Sequence, residues 1–473
     1  MNSIDMIALL PMIILAALPV VVMLELSFYR SHKITLIITL LGLTAAFILL
    51  SPALHHSPRQ VTSLLIIDGY AIFYTGLILA ATFTVALLSY GYLEKRQTRC
   101  EEFYILLTLA ALGSAVLASS SHFASFFLGL EILSVSLYGL IAYVREDHFG
   151  IEAGIKYLIL AATSAAFLLF GMAMIYAESG TMEFARIASG NIHGAFYVTA
   201  LALIIVGIGF KLALVPFHLW TPDVYQGAPA PVTAFIATVS KGAMFALLLR
   251  FFSQAHIQNF NSLMLVFTLI AIASMFVGNW LALLQNNVKR ILAYSSISHL
   301  GYLLVALLAS GSLAVTAVTF YLVTYFVTTL GAFGIITVLS EKNRDAEKLE
   351  DYSGLAWRRP VVAGIFTAML LSLAGIPLTA GFVGKFFILR AGVGSGLWLL
   401  VITLVINSAI GLFYYLRVIA KMYQRPSKQE IDEQELPLTG CIALLILTLL
   451  LIWLGVYPSM FIQIIDGTVA NVF

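Results

Sequence analysis

Apolar stretches of about twenty residues, separated by short polar links, recur from one end of the chain to the other. At about 1.5 Å of rise per residue, such a stretch matches the roughly 30 Å hydrocarbon core of a bilayer. The pattern predicts fourteen spans, near residues 5–26, 34–51, 69–93, 103–119, 123–144, 152–177, 197–217, 229–250, 261–284, 288–309, 312–340, 361–390, 396–420 and 438–463. No link is long enough to fold as a domain, and the most charged, Glu341 to Arg359, reads as a solvated connection. The fold class is therefore all-α, a polytopic membrane protein, because helices satisfy every backbone group from within.

Two spans are interrupted. Span seven runs through Gly207-Ile-Gly-Phe-Lys211-Leu-Ala-Leu-Val-Pro216-Phe-His218 and breaks at Pro216; span twelve breaks in Ser372-Leu-Ala-Gly-Ile-Pro377-Leu-Thr-Ala-Gly-Phe-Val-Gly-Lys385. Each is the fourth of a five-helix group, spans four to eight and nine to thirteen. Five is odd, so consecutive copies have opposite orientations, and inverted repeats with matching discontinuous helices are a transporter signature. The expected domains are a three-helix segment at 1–102, a first repeat at 103–255, a second at 256–425 and a terminal helix at 426–473.

Composition narrows the picture. Hydrophobic residues make up 61% and charged residues 10% of the chain, far from the soluble norm of about 25% charged, and the net charge of +2 gives no reason to expect nucleic acid. Cys100 and Cys441 lack the spacing of an iron–sulfur or c-type haem site, and no histidine spacing suggests a metal. The glycines at 207 and 209 and at 392, 394 and 396 complete no dinucleotide fingerprint and read as helix-packing positions. No Lys or Arg precedes the first apolar run, Met6 to Leu26, which reads as a span and not a signal peptide. Of the 25 Lys and Arg, eighteen fall in one set of alternate connections and four in the other, which places both termini outside the cytoplasm.

The remaining three, Lys211, Lys241 and Lys385, lie within spans, where an ammonium costs at least about 2.5–3.5 kcal/mol to insert. Glu131 is the one carboxylate near the middle of a span, with Ser134 and Tyr138 following on its face. Span ten places Ser295, Ser298, His299 and Tyr302 on one face, and span eleven adds Tyr321, Thr324 and Thr328. Threaded together, Glu131, Lys211, Lys241, His299 and Lys385 form a row of titratable groups, with His218, Tyr302 and Lys156 as further relay candidates. Desolvation lowers a lysine pKa and a nearby carboxylate raises it again, so alternation of the two suits a proton relay. A static Glu131–Lys211 ion pair is the competing account, though it leaves two lysines without a carboxylate. His299 also suits a hydrogen-bonded packing role, and His218 a helix cap. The other histidines, at 32, 55, 56, 122, 148, 193 and 256, fall in links or at span ends and read as solvated.

The stretches Phe217 to Pro231 (FHLWTPDVYQGAPAP), Lys289 to Tyr302 (KRILAYSSISHLGY) and Leu373 to Phe386 (LAGIPLTAGFVGKF) resemble the antiporter-like membrane subunits of respiratory complex I, the proton-pumping NADH–quinone oxidoreductase. The resemblance covers essentially the whole chain. It implies proton-channel roles for Glu131, Lys211, Lys241 and Lys385, and channel histidines at His218 and His299. A lysine at 385, where a sister type carries glutamate, and no long lateral helix after span fourteen set the chain nearest one subtype. The resemblance also implies proton movement from cytoplasm to periplasm across a bacterial inner membrane, without a redox centre in this chain. NADH, FMN, iron–sulfur clusters and quinone would then sit in partner subunits, with other membrane subunits as direct neighbours and the peripheral redox arm as an indirect one. A subunit of a cation/proton antiporter, or a membrane scaffold with a vestigial channel, are the alternatives.

Overall fold

The computed structural model describes residues 2–96, 99–144, 146–187, 195–309, 311–425 and 436–469; His193, Arg145 and Lys428 fall outside them. Six long helices open the chain: α1 (Ser3–Phe28), α2 (His32–His55), α3 (Gly69–Glu94), α4 (Glu102–Ser119), α5 (Phe123–Ile141) and α6 (His148–Ser179). The interrupted seventh span follows as α7 (Ala195–Leu212) and α8 (Trp220–Gly227). Then come α9 (Ala230–Gln254), α10 (Asn261–Leu283), α11 (Val288–Ala309) and α12 (Ser312–Leu339). The twelfth span is split into α13 (Pro360–Ala374) and α14 (Ala380–Gly394), and α15 (Trp398–Tyr423), α16 (Leu438–Val456) and α17 (Ser459–Thr468) complete the order. Among the described residues, twelve helices are long and apolar enough to cross a membrane. The two further expected spans are the two split ones.

Burial sorts these helices into a centre and a rim. The apolar windows of α9 and α11 are wholly buried and that of α12 nearly so, whereas α1, α2 and α16 bury only about a third of theirs. The rim turns large apolar side chains outward, among them Leu24, Leu41, Phe413 and Leu449. Lipid is as apolar as leucine, so close backbone approach has to hold the helices together. A Cβ on Gly113 of α4 would lie 2.6 Å from the Leu133 nitrogen and 2.7 Å from the Gly129 carbonyl of α5, so only glycine permits this crossing.

Buried ion pairs fasten each end. At one end, Arg250 of α9 grips Asp68 with two hydrogen bonds of 2.7 and 2.8 Å, both side chains sealed from solvent. Asp68 also caps α3 by accepting from the Ala71 amide at 2.8 Å. Removing either partner would strand a buried charge, at about 3–5 kcal/mol. At the opposite end, Asp345 in the link before α13 meets Lys289 at 2.8 Å and Arg96 at 2.9 Å and accepts from the Tyr92 hydroxyl at 2.8 Å. Burial opposes the Asp345 charge, but Lys289 and Arg96 outweigh it and hold the carboxyl below its ordinary range. Lys289 also donates to the carbonyls of Gln226 (2.8 Å) and Ala228 (2.6 Å), tying the end of α8 to this link. The link expected to be solvated is thus anchored at its middle.

Several limits differ from expectation. The seventh span stops before Pro216: α7 ends at Leu212, and Ala213 takes a left-handed φ of 58°. Its amide bonds to the Phe210 carbonyl and that of Leu214 to the Gly209 carbonyl, the two bonds that close a helix end. The twelfth span ends alike, with Gly375 at φ 85° and its amide on Ser372. Leu378, at φ 70°, lies further along that break. The last span ends at Val456, with α17 set apart as a short helix. His32, expected to be solvated, bonds the Tyr104 hydroxyl at 2.8 Å and stacks on Tyr90, and His122 caps α5 through the Ala124 amide.

Candidate functional site

The first lysine sits in the last turn of α7. Lys211 is buried, and its Nζ donates to Ser134 Oγ of α5 at 2.7 Å and to the Tyr157 hydroxyl of α6 at 3.1 Å. Glu131, one turn before Ser134, forms no ion pair with it within 4 Å, and the Glu131 Oε1 is buried without a hydrogen-bond partner. The expected direct pair is absent: Lys211 rests on Ser134, whose hydroxyl donates to the Leu130 carbonyl. Tyr138, on the same face, packs its ring on Tyr157 at 5.7 Å. The carbonyl of Phe210, at the break, accepts from the Trp220 indole at 2.9 Å, which seats α8 under α7.

His218 lies within that break, two residues before α8, 6% exposed, and neither ring nitrogen has a hydrogen-bond partner among the described residues. Pro216 is within the break, not its terminator. Lys156 stands outside the row: it is 44% exposed and ion-paired to Glu152 at 2.7 Å and Asp223 at 3.1 Å. Two carboxylates and solvent already hold that ammonium, which makes it part of a surface cluster with Arg290, itself 2.8 Å from Asp223.

Lys241 begins directly after a π-helical turn, Ile236–Ser240, inside α9. Such a turn shifts the helix face by one residue and is common at functional positions. Lys241 Nζ donates to Ser296 Oγ of α11 at 2.7 Å and lies 5.1 Å from the Tyr225 ring centre of α8. The Tyr325 hydroxyl of α12 donates to the same Ser296 oxygen at 2.7 Å. His299, on α11, is bonded through both nitrogens, Nδ1 to the Tyr321 hydroxyl at 2.6 Å and Nε2 to the Tyr415 hydroxyl at 3.1 Å. Tyr415 in turn bonds Ser295.

Lys385 of α14 reaches back across the second break. Its Nζ donates to the Ala374 carbonyl, the last of α13, at 2.9 Å and to Ser408 Oγ of α15 at 2.9 Å. The ammonium also lies 5.2 Å from the Tyr302 ring centre, and that ring meets His299 edge-on at 5.4 Å. Tyr302 thereby joins the histidine to the last lysine. Its hydroxyl accepts from Asn279 at 3.3 Å, within an amide network with Asn407 and Tyr414. Pro377 lies inside the break, between Gly375 and the Thr379 cap of α14.

Some residues expected on the polar faces do other work. Thr324 and Thr328 bond carbonyls of their own helix, and Ser298 bonds the Met275 carbonyl. Conversely, Tyr157, Ser296, Tyr325, Ser408 and Tyr415 touch the row without having been singled out. No group of three or more His, Cys, Asp or Glu side chains among the described residues could hold a metal.

Two interrupted helices, each with a buried lysine beside the break, are the arrangement in which membrane transporters build their ion sites. The chain belongs to the NADH:quinone oxidoreductase/Mrp antiporter transmembrane family, whose model matches residues 120–411. The chain is 54% identical to NADH-quinone oxidoreductase subunit N of Nitrosospira multiformis and 48% identical to that of Ectopseudomonas mendocina, in each case over 98% of this chain and 96% of the relative. A chain of respiratory complex I from Thermus thermophilus with bound Aureothin superposes with a TM-score of 0.82 at 34% identity, covering 96% of this chain and 98% of that one.

Proposed function

We propose that the chain is a proton-translocating membrane subunit of NADH–quinone oxidoreductase, carrying protons from cytoplasm to periplasm while NADH oxidation and quinone reduction proceed in other subunits. The relatives named above support the assembly. The observation that carries the transport role is the bonding of the three buried lysines. Lys211, Lys241 and Lys385 are held by hydroxyls, a carbonyl and aromatic faces, with no carboxylate within 4 Å among the described residues. A lysine kept only for packing would be paired with a buried carboxylate, as Arg250 is with Asp68. A hydroxyl partner accepts from an ammonium and donates to a neutral amine, so it serves both protonation states.

The row then divides into four stations. Lys211 rests on Ser134 with Glu131 one turn away, Lys241 rests on Ser296, His299 sits between Tyr321 and Tyr415, and Lys385 ends the row at the second break. His218, buried with both nitrogens free of protein partners, is placed where a water-borne proton would pass the first break. The two interrupted spans support division into repeats at 103–255 and 256–425, and the Lys/Arg asymmetry supports periplasmic termini. Cofactors would reside in the partner subunits, leaving this chain a non-redox component of the enzyme. Proton pumping in inverted membrane vesicles carrying Lys211→Ala tests the reading. With normal complex content, NADH-driven acidification should fall severalfold; unchanged acidification would point to a scaffold.

A further inference from the structure

The three buried lysines are of two kinds. Lys211 has the Glu131 carboxylate acting on it through space. Its ammonium lies 5.1 Å from the Tyr157 ring centre but bonds that residue at the hydroxyl, 3.1 Å away. Lys241 and Lys385 have no carboxylate within 4 Å among the described residues. Each is set over the ring of a buried tyrosine at nearly the same distance, Lys241 Nζ 5.1 Å from the Tyr225 centre and Lys385 Nζ 5.2 Å from that of Tyr302. Neither ammonium bonds the phenol oxygen; one serine completes each seat, Ser296 at 2.7 Å and Ser408 at 2.9 Å.

Both rings are held by contacts other than the lysine. Tyr225 of α8 meets Phe333 of α12 edge-on, with centres 5.8 Å apart, and the Tyr302 hydroxyl of α11 accepts from Asn279 of α10 at 3.3 Å. An ammonium taken out of water needs an electron-rich surface beside it, and an aromatic face supplies one, most strongly where solvent is excluded. Arg250 and Arg96 also lie over tyrosine rings, at 4.8 and 4.1 Å, but each has an aspartate as well. Lys241 has only its ring and its serine among the described residues, and Lys385 adds the Ala374 carbonyl at 2.9 Å. A carboxylate in such a seat could take the proton itself. A ring face steadies the charge and leaves the proton on the lysine.

We propose that Tyr225 and Tyr302 are positioning residues whose ring faces stand in for carboxylates, stabilising the ammonium forms of Lys241 and Lys385 so that these lysines can load a proton. The proposal rests on the relay reading given above. In the assembled complex, each tyrosine is replaced separately by phenylalanine, by phenylalanine carrying one, two or three ring fluorines, and by leucine. Fluorine draws charge off the ring face at nearly constant size, and phenylalanine takes the hydroxyl out of the comparison. NADH-driven acidification, normalised to complex content, should fall stepwise with fluorination, by at least about threefold from phenylalanine to the trifluoro ring, with leucine no better than the latter. The fall should be steeper at 225, where no carbonyl shares the charge. A role in packing alone would not order the variants by ring charge. Equal pumping across the fluorinated series, or phenylalanine no better than leucine, would overturn the proposal. Lys241→Ala and Lys385→Ala in the same membranes separate it from the reading beneath it: normal pumping in both would sink the relay and the proposal together, whereas failed pumping there with a flat fluorine series would sink the ring assignment alone. The two positions are independent tests, so either series decides if the other tyrosine's variants do not assemble.

Discussion

Lys211 donates its ammonium hydrogen to Ser134 Oγ at 2.7 Å, and Ser134 lies one turn from Glu131 on the same helix. The Ser134 hydroxyl donates to the Leu130 carbonyl, so the carboxylate acts on the lysine through space while the hydroxyl holds the ammonium in place. Ser134→Ala should lower pumping severalfold with the complex assembled, and Glu131→Gln should do the same, with Glu131→Asp milder. NADH-driven acidification of vesicles, normalised to complex content, checks all three. Full pumping in Ser134→Ala would show that the ammonium does not need the hydroxyl.

Ala213 and Leu378 both hold left-handed backbone, where a Cβ costs about 1–2 kcal/mol. Ala213→Gly should therefore assemble as well as the original or better, and Ala213→Val should assemble poorly. Pro216→Ala should leave the break intact, because α7 has already ended at Leu212. Helix limits in a structure of the Pro216→Ala complex decide this; a continuous helix through 213–218 would contradict it.

Gly381 sets the second break. A Cβ there would fall 1.9 Å from the Ser372 carbonyl, and the Gly381 amide already bonds Ser372 Oγ at 2.9 Å. Gly381→Ala should force α13 and α14 apart and cut complex content in membranes at least severalfold, which quantitative immunoblotting measures. Normal content with normal pumping would show that the two halves tolerate separation.

The Asp345 carboxyl is held below its ordinary value of about 4, so its bonding to Lys289 and Arg96 is fully present above that value. It is lost only as pH falls through the lower, folded value. Hydrogen-exchange protection of the 345–352 backbone should thus be the same at pH 5.5 and pH 8, after correction for intrinsic rates, and should drop in Asp345→Asn at both. Loss of protection between pH 8 and 5.5 in the original chain would refute the assignment.

Much of this architecture was legible in the chain itself, since hydrocarbon-length apolar runs are bounded by polar links. The three lysines stood out because each is conspicuous in an apolar run. Their partners were less visible. Ser296 lies off the face shared by Ser295, His299 and Tyr302, and single-face periodicity assigns it to packing. It meets Lys241 because α11 is buried all round, so every face touches protein. Tyr157 was masked by its charged neighbour Lys156, which points to the surface while Tyr157 turns inward. The π-helical turn before Lys241 has no signature in Ile236–Ser240, whose residues are ordinary apolar and hydroxyl ones buried on every side. The break before Pro216 was misplaced for a related reason: Ala213, not a proline or glycine, carries the reversal.

Lys385→Arg in the assembled complex tests the central claim most directly. Arginine keeps the positive charge beside the Ala374 carbonyl and Ser408 but does not release a proton at any working pH. A relay must release its proton, whereas a fixed charge need not. With complex content equal to the original in the same membranes, the account predicts that Lys385→Arg pumps at least severalfold more slowly, and that Lys385→Ala is no worse. Pumping at the original rate in Lys385→Arg, together with failure in Lys385→Ala, would contradict it.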